Sequence, residues 1–102
     1  MDPAGIPALI EAVRHLHGAD AVHVETVPVH ERAPNGETVW SGDVEVFALA
    51  GHPTATRAYA WSEATTGTKR RFFVVLQAGP VTSADTAVQA SILADARAPQ
   101  PQ

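Results

Sequence analysis

Aromatic and cationic side chains gather in one stretch of this chain. Arg57, Tyr59 and Trp61 stand two residues apart, and Arg71, Phe73 and Val75 repeat that spacing after a short break. Side chains alternate across an extended strand, so each triplet falls on one face. A guanidinium laid on an indole or phenyl ring forms a cation–π pair, and rings beside arginines can stack on planar groups or pack against a protein. Other candidate chemistry is weaker. His15 and His17 lie two apart in a helical pattern, where their directions diverge by about 200°, so they cannot hold one ion together. His23 and Glu25 could share a strand face, but two ligands fall short of even a catalytic zinc site. There is no cysteine, which removes disulfides, thiolate metal sites and cysteine nucleophiles. Ser41, Ser62, Ser83 and Ser91 lack the G-x-S-x-G setting of a nucleophile elbow, and His52 has no carboxylate forced beside it. The run Ala64-Thr65-Thr66-Gly67-Thr68-Lys69 lacks the first glycine and the Gly-Lys-Ser/Thr ending of a phosphate loop, and it leads into a strand. The expectation is a non-catalytic protein with no metal and no cofactor.

The elements that must position these residues follow from periodicity. Ile6, Leu9, Ile10, Val13 and Leu16 keep the spacing of an amphipathic helix, which Pro7 can begin and Gly18 can stop. His15 and His17 then fall in its last turn, where the helix dipole favours positive charge. From Ala21 to Arg32 the valines change parity: Val22 and Val24 share one, Val27 and Val29 the other. Both pairs can face a core only through a bulge, placed near Glu25 or Thr26, which would leave His23 and Glu25 in solvent. Pro28 cannot donate to a ladder, so this is expected to be an edge strand. Asn35-Gly36 predicts a two-residue type I′ turn, which opposes Val29 to Gly42 and Val27 to Val44. The next strand, Thr38 to Ala50, alternates Trp40, Val44, Val46 and Ala48 with Asp43, Glu45, Phe47 and Leu49.

Past Gly51-His52-Pro53, a hairpin closes through residues 64–68, with Trp61 expected opposite Arg71, Tyr59 opposite Phe73 and Arg57 opposite Val75. One of its faces is smooth, with Ala58 and Ala60 beside Phe72, Val74 and Leu76, and a helix can approach it closely. The even-numbered residues of Thr38 to Ala50 are assigned to that face. A second helix, capped by Thr82 with Asp85 and running to about Ala96, is expected to lie on it too. The predicted fold is a single α+β domain over residues 1–97: helix, four-stranded antiparallel meander, helix, with both helices on one sheet face. Residues 98–102 are expected to form a flexible tail.

Length and composition agree with one globular domain of 102 residues, since 45% hydrophobic and 18% charged content argues against disorder. No apolar run reaches the length of a membrane span, and the first residues lack the regions of a signal peptide, so a cytoplasmic protein is expected. A net charge of −4 argues against a dominantly electrostatic nucleic-acid binder. Even so, Arg57, Lys69, Arg70 and Arg71 place most of the basic charge in one hairpin. The order helix, antiparallel sheet, helix resembles the double-stranded-RNA-binding domain, which has three strands and bears lysines where this chain has Ala84 and Asp85. That resemblance, with the stacking side chains, implies a nucleic-acid-binding alternative. Asp43, Glu45 and Glu63, assigned to the same face, would repel phosphates. The preferred expectation is therefore a protein-interaction module or homodimer, bound to itself or to another protein through an open face of Phe47, Arg57, Tyr59, Trp61, Arg71, Phe73 and Val75.

Overall fold

The computed structural model describes residues 5–64, 67 and 70–97. The N-terminal apolar stripe forms α1 (Ile6–His17), with Pro7 in its first turn and Gly18 left-handed at φ 66 just past its end. The Gly18 amide donates to the Arg14 carbonyl at 2.8 Å, closing the last turn. Four strands follow: β1 (Asp20–Arg32), β2 (Thr38–Ala50), β3 (Arg57–Ala64) and β4 (Arg70–Leu76). They form one antiparallel meander in the order β1-β2-β3-β4. The chain ends in α2 (Ala84–Arg97). This is the α+β order that the sequence predicts. The expected tail at 98–102 lies outside the described residues, as does most of the 64–68 turn. Among the described residues no helix is long and apolar enough to cross a membrane.

The helices do not share a face. Leu9 of α1 packs with Phe47 and Ala60, flanked by Ile6, Ile10, Ala21, Phe72 and Val74. Ala84, Ala87 and Val88 of α2 pack with Val29, Val44, Val46, Tyr59 and Trp61. Ala60 lies between Tyr59 and Trp61 in one strand, so the two clusters are on opposite sides of the sheet. The molecule is a three-layer sandwich, α1 on an alanine face and α2 on a tryptophan face. The cause is the register of β2 on β3, in which Val46 pairs with Tyr59 and Phe47 with Ala58. Even residues of β2 therefore join odd residues of β3, the reverse of the parity expected.

The β1–β2 hairpin reaches the expected register by another route. Val29 pairs with Gly42 and Val27 with Val44. The turn is not type I′, because no described residue other than glycine has positive φ. Instead Gly36 N–H donates to the Ala33 carbonyl at 2.8 Å, Pro34 and Asn35 hold the centre, and Gly36 takes φ 88. The register then shifts between Glu31 and Arg32, skipping Val39, and that irregularity restores the pairing.

The second bulge skips Val24, one residue before the expected place. It brings Val22 to the face of Val27 and Val29, but only Val29 is fully covered. Val22 and Val24 remain 67% and 46% exposed, and neither belongs to the cluster packed with α2. At α2 the cap also sits one residue later than expected. Ser83 and Thr86 exchange bonds, with Thr86 N–H on Ser83 Oγ at 3.3 Å and Ser83 N–H on Thr86 Oγ1 at 2.9 Å.

Candidate functional site: an aromatic cleft beneath the C-terminal helix

Strands β2 and β3 are both long, yet they pair only over Glu45–Ala48 against Arg57–Ala60. Beyond Glu45 and Ala60 no ladder pair joins them, and side chains bridge the gap instead. Trp40 reaches from β2 to β3, where its Nε1–H donates to Glu63 Oε1 at 2.7 Å. Its ring meets Trp61 edge-on, with centroids 5.7 Å apart. Trp61 stacks on Phe73 at 5.3 Å with the planes 8° apart, and the Arg71 guanidinium lies 4.5 Å above the Phe73 ring. Three rings and a cation thus run across β2, β3 and β4 on the tryptophan face.

This row rests on the observed β3–β4 register, two residues from the one predicted. Trp61 lies opposite Phe73, Tyr59 opposite Val75 and Glu63 opposite Arg71. A shift of two preserves the faces, so Arg57, Tyr59, Trp61, Arg71, Phe73 and Val75 do share one side. The partners change: Arg71 covers Phe73 rather than Trp61. Nor is the face open. Tyr59 and Trp61 are each 3% exposed beneath α2, and Phe73 and Val75 are half-buried against the same cluster. Arg57 and Arg71 alone of the set are exposed. Phe47 belongs to the other side, fully buried under α1 beside Ala58. A large aromatic face gains more by covering itself with a helix than by waiting for a partner.

Two neighbouring cavities lie beneath α2, one over the splayed strands and one against β4. The inner one, about 170 Å³, is lined by Trp40, Trp61, Glu63, Phe73, Val88, Ser91 and Ile92. The outer one, about 400 Å³, is lined by Arg71, Phe73, Val74, Val75, Ala90, Ser91 and Ala94. Trp61 Nε1 is buried with no hydrogen-bond partner among the described residues. Trp40, Glu63 and Ser91 are the site residues that sequence reasoning missed. The β2 parity read from the sequence puts Trp40 on the other side, and a bond between positions 40 and 63 leaves no local signal.

A second polar group sits at the other face. His23 Nε2 lies 2.8 Å from Glu45 Oε1, and Thr26 Oγ1 donates to the same oxygen. His23 also meets Phe47 edge-on at 5.5 Å. His23 is thus half-buried and paired across the strands, rather than in solvent beside Glu25, which is exposed. His52 works on backbone: its Nδ1 accepts from Ala55 N–H at 2.8 Å and from Thr54 N–H at 3.2 Å, shaping the β2–β3 loop. Among the described residues no three His, Asp or Glu side chains converge as a metal site. Comparison with protein-family models, curated proteins and solved structures finds no match to this chain.

Proposed function

We propose that the chain is a non-catalytic self-associating module in which the β4 edges of two copies pair antiparallel, joining two four-stranded sheets into one. The observation that carries this is the state of the two sheet edges. β1 is protected as monomer edges usually are, by Pro28 and by the bulge at Val24. β4 has neither device. Its residues Phe72 to Leu76 are apolar on both faces and all half-buried.

The arginines at its start are turned to other work. Arg70 donates to Ser62 Oγ at 3.0 Å and to the Ser62 carbonyl at 3.3 Å, while Arg71 lies over Phe73. Pairing about Phe73, the middle of β4, would set Phe72 against Val74 of the second copy. Each helix layer would continue onto the second copy on the same side. Such pairing satisfies the outer backbone groups of β4 and covers the half-exposed side chains together. Cytoplasmic residence belongs to the same proposal and fits a chain without cysteine.

Sedimentation equilibrium at tens of micromolar tests it: the expected mass is twice 10.7 kDa. Val74→Lys, which sets a charge at the middle of the edge, should yield a monomer with unchanged circular dichroism. Val22→Lys, at an exposed valine of β1, should leave the dimer intact. A wild-type monomer throughout that range would sink the reading, and a β-strand of another protein would become the occupant to seek.

A further inference from the structure

We propose that Asn35 is a site of self-modification, at which the β1–β2 turn converts its own amide into a carboxylate through a cyclic imide. The chain has a single asparagine, and Gly36 follows it at the centre of that turn. Asn35 Oδ1 accepts the Glu37 N–H at 3.0 Å. That donor polarises the side-chain carbonyl and is placed to hold the negative oxygen that forms when a nucleophile adds to it. The nucleophile is the backbone nitrogen of Gly36, which no Cβ crowds, because glycine has none. Its N–H is held by the Ala33 carbonyl at 2.8 Å, and this bond must open first. Residues 34–39 are all exposed, so opening the turn uncovers no core.

The step needs no oxidant and no other reagent than water. The Gly36 nitrogen bonds to Asn35 Cγ and gives up its proton, the Cγ–Nδ2 bond breaks, and the departing nitrogen takes a proton to leave as ammonia. Water then opens the five-membered imide at either carbonyl. One opening leaves aspartate at position 35. The other routes the main chain through the former side-chain carbonyl and leaves isoaspartate, with one extra carbon in the backbone. Arg32 already reaches the Gly36 carbonyl at 3.4 Å, so the aspartate product gains a cation nearby and the turn can keep its shape. Isoaspartate is different. Its extra carbon falls between the bonds from Ala33 to Gly36 and Glu37 that close the turn, and it should loosen the hairpin end where Trp40 pairs with Glu31. The turn thereby records the age of the molecule close to the aromatic cleft.

This chemistry is independent of β4 pairing, and its test reads in either oligomeric state. The full chain is incubated at mildly alkaline pH, folded and in urea, and the tryptic peptide of residues 33–57 is followed by mass spectrometry. The folded chain should release ammonia and give two product peptides. Only one of them, the aspartate form, should be cut at position 35 by a protease that cleaves before aspartate. In Asn35→Gln the corresponding ring has six members, and both products should be lost. The Trp40 indole N–H signal of the ¹⁵N-labelled chain should split as isoaspartate accumulates, and should stay single in Asn35→Asp. Conversion in urea with none in the folded chain overturns the proposal, because the fold would then lock the turn against it. So does a folded chain that yields aspartate without isoaspartate, since direct hydrolysis would account for that.

Discussion

A Cβ built on Gly42 would stand 3.1 Å from Trp40 Cη2 and 3.4 Å from Cζ2, closer than side chains normally pack. Trp40 lies flat across β2 at that point because there is nothing on Gly42 to lift it. On its far side the ring is held by Glu63 Oε1 at 2.7 Å and by the edge of Trp61, so it cannot retreat without losing one of them. Two effects oppose each other in Gly42→Ala. Replacing glycine inside a strand gains roughly 0.5–1 kcal/mol by restricting the unfolded chain. Overpacking a fixed ring costs about 1–3 kcal/mol. The second is larger, and we expect a net loss of about 1 kcal/mol in urea unfolding. Trp40 fluorescence should change with it. A variant more stable than wild type would show that the ring moves aside freely.

At the scale of elements, the splay of β2 from β3 makes the cleft. The long ladder of β1 on β2 runs the length of the hairpin, whereas β2 and β3 pair over four positions only. Gap-facing amides of β2 before Glu45, and of β3 after Ala60, lack a ladder partner across the gap. Hydrogen exchange should find them faster than the amides of Phe47 and Ala58, which face each other across the paired part of the ladder. Equal protection at Ser62, whose amide faces the gap while those of Trp61 and Glu63 face β4, would mean that the ladder continues in solution.

This geometry was not legible in the sequence, whereas the element order was. Helix periodicity from Ile6 to Leu16, Gly18 and the turn residues at 34–36 and 51–53 act locally, and each falls where the structure puts a boundary. Face assignments depend on register, which is set across loops. The β1–β2 register came from Asn35-Gly36 through a turn of the wrong type, made good by the irregularity at Val39. Nothing in Gly51 to Thr56 fixes parity from composition, because His52 Nδ1 and the buried Ala55 shape that loop from within. The β2 parity puts Trp40 and Phe47 on the wrong faces, and the smooth Ala58–Ala60 face, which suits an alanine-rich helix, is taken by α1 instead of α2. The aromatic triplets are legible as a unit because a two-residue shift of register leaves a face intact.

The whole molecule covers both sheet faces with its own helices, so an open face no longer argues for self-association. What remains is the edge. A chain whose folded form is a dimer gains stability with concentration, since mass action favours the associated native state over unfolded monomers. Each tenfold dilution then costs about 1.4 kcal/mol per dimer, or roughly 0.7 kcal/mol per chain. For a domain of this size that corresponds to a fall of about 3–5 °C in Tm. We expect wild-type melting curves to move by that amount per decade of dilution across the micromolar range. Val74→Lys should melt at one temperature whatever its concentration. The comparison separates edge pairing from ordinary destabilisation: a substitution that merely damaged the α1-side packing of Val74 would lower Tm but keep its concentration dependence. If the wild-type Tm is itself independent of concentration, β4 does not pair with a second copy. The covering for its outer backbone groups must then come from elsewhere.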